Sequence, residues 1–195
     1  CSTGAKMLRR YCDERSIEYD ICGKVIVATD ESELAGLEEL HRRGSANGAK
    51  GLEVIGAERL RELEPHAAGI RAIYSPNTGV IDYDKVTSAF AVDIRGNGGE
   101  VFTDTEVLRA FMREGRIHLE TTGGDVVAGH VINSAGLQAD KVARTMGVET
   151  GLRIVPFRGE FFSLRLELSS MVNGLIYPVP KPELPFLGVH VARRS

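Results

Sequence analysis

The chain has 195 residues, with 24 lysines and arginines against 27 aspartates and glutamates, 43% hydrophobic residues, 22 glycines, three cysteines and no tryptophan. A chain of this size buries roughly 70% of its unfolded surface without help from disulfides or metals, and a mixed net charge of -3 offers no basic field for nucleic acid or an anionic membrane surface. Cys1, Cys12 and Cys22 lack CxxC spacing, which fits a reducing cytoplasm and reads them as small buried hydrophobes.

A helical pattern begins at once over residues 1–16 (Ala5, Leu8, Tyr11, Cys12), and the β-branched run KVIVAT (24–29) reads as a buried strand. Asp30 or Ser32 caps a helix whose apolar face is Leu34, Leu37, Leu40 and Ala46, stopped at Asn47-Gly48. A strand at 52–55, a helix at 57–64 ended by Pro65, and strands at 70–74 and 79–81 around the Pro76-Asn77 turn follow. Asp82 or Asp84 then caps a helix to about residue 95, with Val86, Ala89, Phe90 and Ile94 inward. Short strands near 100–102, 106–111, 116–120, 125–128 and 130–134, turning at Glu114-Gly115 and Gly123-Gly124, predict an antiparallel meander within a mixed sheet. A helix at 137–146 closes at Gly147. The last third carries strand-like stretches at 154–155, 160–168, 175–179 and 186–191, separated by turns with Pro178, Pro180, Pro182 and Pro185. The first and last elements start and stop abruptly, so further elements are expected on both sides. No apolar run reaches the roughly 18 residues of a membrane span.

Little of the chain matches a simple catalytic motif. Gly96-Asn97-Gly98-Gly99 has Val101 where the dinucleotide fingerprint needs its last glycine, and it follows a helix instead of a strand, so it reads as a helix stop. No Walker-type Lys-Ser/Thr follows a glycine loop. His41, His66, His118, His130 and His190 are scattered without metal-ligand spacing, and no metal site is expected. His190 differs from the others because it alternates with Gly188 and Ala192 on one strand face, where small neighbours let a planar group lie close. In VINSAGLQAD (131–140) a strand passes through a small-residue turn into a helix, which leaves backbone N–H groups free to face a polar cofactor atom. Arg158, beside Gly159, is a candidate for binding a carboxylate.

YCDERSIEYDICGKVIVAT (11–29), GVIDYDKVTSAF (79–90), VINSAGLQAD (131–140), VPFRGEFFSL (155–164) and IYPVPKPELPFLGVHVARR (176–194) resemble, in this order, the L-2-hydroxyglutarate oxidase/dehydrogenase family of flavoproteins in the D-amino-acid-oxidase-like superfamily. The resemblance implies a mixed α/β fold in which an FAD-binding layer and a β-sheet substrate layer exchange segments. Residues 1–22 and 79–151 would belong to the first layer, and 23–78 and 152–195 to the second. It implies oxidation of an L-2-hydroxy acid, with L-2-hydroxyglutarate foremost, by hydride transfer to FAD. Oxygen or a membrane quinone would then take the electrons, and the parent protein would be cytoplasmic or peripherally associated with a membrane. Val107, Ser134, Ala135 and Gly136 would approach the cofactor; Arg158 would hold a carboxylate, Tyr177 would form a hydrogen-bonding wall, and His190 would act as base or orient the hydroxyl. The resemblance departs after the Arg-Gly-Glu turn, where many members would carry Tyr and this chain has Phe161 and Phe162. The family's N-terminal βαβ unit with its glycine fingerprint is absent from these 195 residues, so this chain alone is expected to bind FAD weakly or not at all and to be inactive. The competing expectations are a glycerol-3-phosphate or amino-acid/amine oxidoreductase and a non-catalytic interaction domain.

Overall fold

The computed structural model describes residues 2–181 and 188–192. Cys1, the prolines Pro182 and Pro185, and the start of the expected strand at 186–191 lie outside the described residues. The elements are α1 (Ser2–Arg15), β1 (Tyr19–Asp20), β2 (Lys24–Ala28), α2 (Leu34–Ala46), β3 (Glu53–Gly56), α3 (Ala57–Leu63), β4 (Arg71–Ser75), β5 (Val80–Ile81), α4 (Tyr83–Gly96), β6 (Val107–Arg113), β7 (Arg116–Thr121), β8 (Val126–Ala128), α5 (Ala139–Thr145), β9 (Leu175–Pro178) and β10 (Val191–Ala192). The chain divides into two compact units, residues 1–92 with 163–195, and residues 93–162.

The first unit is organised by β2, the middle strand of a five-stranded sheet in the order β10-β9-β2-β4-β3. Its β-branched run suits a position buried on both faces. Val25 and Val27 join Ile55, Leu60 and Ala72 in one apolar cluster, so α3 covers that face through Leu60. Ala28 packs with Leu37, Ile73 and Val179, with Ile26 alongside, and α2 covers this second face through Leu37. Asp30 positions α2: its Oδ1 accepts the Ser32 N–H at 2.8 Å and opens the 3-10 turn Glu31–Glu33 that leads into the helix. β4 and β3 are antiparallel neighbours, whereas β9 lies parallel to β2, with Lys24 opposite Leu175 and Ile26 opposite Tyr177.

Elsewhere in this unit α1 and α4 bury Cys12, Ile17 and Val86 beside the short β1–β5 ladder. Burial pushes the Cys12 thiol pKa up, and a thiol kept protonated is a poor nucleophile. Phe90 and Ile94, expected inward, are instead 47% exposed. The inward face of α4 is occupied by α1 only over its first turns. Phe90 reaches the Tyr11 ring at the rim (4.8 Å between centroids), and Ile94 lies against the helix-ending loop, where the Gly99 N–H donates to its carbonyl at 2.9 Å.

The second unit holds the antiparallel sheet β6-β7-β8, with α5 packed against β6. Glu114 and Gly115 both have positive φ (53° and 75°), which makes the tight turn whose twist matches a hairpin. The expected strand at 100–102 is absent, because the chain turns directly after it. Asp104 has φ 53°, and the Thr105 hydroxyl donates to the Thr103 carbonyl at 3.0 Å. The expected strands at 130–134 and 154–155, and the first part of that at 160–168, are irregular. An extended segment becomes a strand only beside a ladder that takes its N–H and C=O groups, and none of the described residues supplies one. Ile132, Phe161 and Phe162 are accordingly 90%, 87% and 93% exposed. The rest of 160–168 runs into a 3-10 helix, Leu166–Met171, where the Ser169 hydroxyl donates to the Leu166 carbonyl at 2.7 Å. Such a local bond offers the backbone an alternative to a strand.

One buried polar contact fixes where β9 begins. Glu64, 3% exposed at the end of α3, accepts the Asn173 N–H at 3.0 Å and the Gly174 N–H at 2.6 Å. Gly174 is required there, since a Cβ would lie 2.7 Å from the Cys22 carbonyl oxygen. Glu64→Ala leaves two amides without their acceptor, and the expected loss in urea unfolding is about 2–4 kcal/mol. A loss below about 0.5 kcal/mol, the range of an ordinary surface substitution, would show that the contact does not anchor β9.

Candidate functional site

Three polar side chains gather on the sheet face that carries α2. Tyr177 projects from β9 on the same side as Ile26 and Lys24 of β2, because parallel partners in register share a face. β10 pairs Val191 with Ile176, so His190, just before the strand, falls opposite Tyr177. Their rings stack at 4.6 Å between centroids, 27° from parallel. His190 Nδ1 is 3.1 Å from the Gly188 carbonyl oxygen. A carbonyl only accepts, so Nδ1 carries the proton in this contact and, on the neutral ring, Nε2 keeps its lone pair. From β2, the Lys24 ammonium lies 5.1 Å from the centre of the Tyr177 ring, and burial lowers its pKa.

Lys24 is a site residue that the sequence reasoning misses, although it stands in phase with Ile26 and Ala28 in a strand buried on both faces. A lysine at such a phase is the signal that marks it. His190 is exposed, and its expected alternation on a long strand is reduced to a two-residue ladder among the described residues.

The second cluster is the loop entering α5. Asn133 shapes it from both sides, accepting the Ala135 N–H through Oδ1 at 3.2 Å and donating Nδ2 to the Ala139 carbonyl at 2.8 Å. The helix enters through a 3-10 turn, Gly136–Gln138, whose first bond runs from the Gln138 N–H to the Ala135 carbonyl at 3.0 Å. The Gly136 and Leu137 amides precede that bond. Gly136 has φ 54°, and nothing lies within 4 Å of where a Cβ would be. Ser134, Ala135 and Gly136 are exposed, giving a small-residue surface with backbone donors. In the first turn of α5, Asp140, its side chain 8% exposed, accepts from Arg144 Nη2 at 3.0 Å and from the Ile154 N–H at 3.4 Å through Oδ2. Its buried Oδ1 has no partner among the described residues.

The remaining candidates, Val107 and Arg158, both belong to the second unit. Val107 opens β6 opposite Thr121, half-buried, beside the register shift between Val107 and Arg109. Arg158 belongs to the second unit, is 86% exposed at its side chain and lies 3.6 Å from Glu160. Among the described residues no group of three His, Cys, Asp or Glu side chains could hold a metal ion.

Comparison with known proteins gives these features a context. A family model described as FAD dependent oxidoreductase (DAO) matches residues 1–195. The L-2-hydroxyglutarate dehydrogenase of Escherichia coli O17:K52:H18 is 40% identical over 194 residues, covering 99% of this chain and 46% of that protein. The mitochondrial L-2-hydroxyglutarate dehydrogenase of Homo sapiens is 37% identical over 206 residues, covering 100% of this chain and 44% of its own. The chain thus spans about half the length of the curated relatives it matches. Among solved structures, L-proline dehydrogenase from P. horikoshii superposes with a TM-score of 0.76 at 19% identity, over 91% of this chain and 48% of that one, which is a likeness of fold.

Proposed function

Because the chain belongs to the FAD dependent oxidoreductase family, we propose that it forms the substrate-facing sheet and a flavin-facing loop of an enzyme that oxidises L-2-hydroxyglutarate to 2-oxoglutarate. The observation that carries this reading is the 40% identity, along 99% of the chain, to a protein named for that reaction. The loop at 133–140 fits a flavin. Gly136 leaves open space where a side chain would stand, two amides precede the first helical bond, and the buried Asp140 Oδ1 lacks a donor among the described residues. Ser134, Ala135 and Gly136 would hold the cofactor, with Val107 alongside. The chemistry FAD supplies when bound is acceptance of a hydride from the carbon that bears the hydroxyl.

Side chains of this chain would take the following parts. His190 Nε2 takes the hydroxyl proton as the carbonyl forms, held in that tautomer by the Gly188 carbonyl. Tyr177 fixes the imidazole plane by stacking. Arg158 binds a substrate carboxylate in exchange for Glu160, an exposed pair that costs little to part. Oxygen or a quinone would be the final electron acceptor.

The test is anaerobic mixing of the flavin-loaded whole protein with L-2-hydroxyglutarate, glycerol 3-phosphate, L-proline and glycine. Bleaching of the flavin band by the hydroxy acid alone, with 2-oxoglutarate as product, is the expected result. Bleaching by an amino acid or the phosphate ester in its place would overturn the substrate assignment.

A further inference from the structure

Lys24 has no role in the reading above, yet its surroundings are those of an anion site. It stands on the middle strand of the sheet, half-buried, and among the described residues no carboxylate lies at ion-pair distance from its ammonium. Burial lowers its pKa, and no acid among the described residues pairs with it. A half-buried cation without a counter-ion is costly, and a bound anion removes that cost. The adjoining Tyr177 ring, 5.1 Å away, supports the ammonium without neutralising it.

The sheet order sets what kind of anion fits. β9 lies between β10 and β2, so the strands leading from His190 and Lys24 flank that of Tyr177. Their strands are two spacings apart, about 9–10 Å, and Lys24 stands a further two residues along β2, opposite Leu175, where Ile26 is level with Tyr177. A hydroxyl at His190 and a carboxylate at Lys24 therefore belong to opposite ends of one molecule, not to adjacent carbons. We propose that Lys24 receives the far carboxylate of the hydroxy acid, across Tyr177 from His190, and so selects a five-carbon diacid over shorter or single-carboxylate acids. The assignment rests on the hydroxy-acid reading for its substrate and on the strand order for its geometry.

Lys24→Met and Lys24→Arg in the flavin-loaded whole protein test it, with L-2-hydroxyglutarate set against L-2-hydroxypentanoate, the same chain without its far carboxylate. The wild-type preference for the diacid in kcat/KM should fall about 10- to 100-fold in Lys24→Met, mainly through KM, as expected for losing one charge-assisted contact. Lys24→Arg should restore most of it. An equal loss with both acids, or no loss with either, overturns the proposal while leaving the reaction in place. Calorimetric titration with glutarate gives a second readout that needs no turnover. Glutarate should bind at least about tenfold more weakly to Lys24→Met than to wild type, the lower end of what one charge-assisted contact contributes, and equal binding overturns the proposal. A wild type that binds glutarate through Lys24 but oxidises no hydroxy acid would sink the substrate reading and keep the anion site.

Discussion

His190→Gln lowers the rate of flavin reduction by L-2-hydroxyglutarate about 10²- to 10⁴-fold, the range expected for removing a positioned general base. Gln retains a group that can reach the Gly188 carbonyl, so the local backbone contact survives while the basic nitrogen is lost. The substitution also removes one ring of the Tyr177 pair, a contact of about 0.5–1.5 kcal/mol at an exposed position. Stability and flavin content should therefore change little. Stopped-flow reduction, read with the melting temperature and the flavin-to-protein ratio, separates the outcomes. A slow step in a folded, yellow protein supports the base. An unchanged reduction rate would leave His190 a stacking partner only. Loss in KM alone would move His190 from proton transfer to substrate binding.

The parts of this architecture legible in the sequence are those decided within a few residues. The run at Lys24–Ala28, the Asp30 cap, and the turn at Glu114 and Gly115 each carry their own cause: β-branching, a side-chain acceptor, and a glycine at positive φ. The loop at 133–136 is legible for the same reason, since small residues before a helix are a local signature. Where sequence and structure part, the deciding partner is distant or missing. Residues 130–134 have the composition of a strand, but composition cannot supply a ladder. Lys24 is hidden for the opposite reason. Its neighbour Tyr177 arrives on β9, a parallel strand that pairs with β2 only after α2 through α5 have intervened. Parallel register over such a separation is written in no short window of sequence. Glu64 is a similar case, because the amides it accepts belong to Asn173 and Gly174.

Gly136→Val should yield a protein that purifies without flavin, the largest effect expected at the α5 loop. Two causes act together. A β-branched residue at φ 54° is strained by about 1–3 kcal/mol, and its side chain fills the space that the open loop presents. Gly147 allows these to be told apart, because it closes the same helix at φ 72° and also has nothing within 4 Å of where a Cβ would stand. Gly147→Val imposes similar backbone strain without touching the Ser134-Ala135-Gly136 surface. If strain alone matters, both variants lose similar stability and keep or lose the visible flavin absorbance band together. If that surface carries the cofactor, Gly136→Val loses flavin and Gly147→Val retains it at comparable melting temperature. Retention in both would remove the loop from the cofactor site, and the proposed hydride acceptor would then have to be held by other residues of the protein.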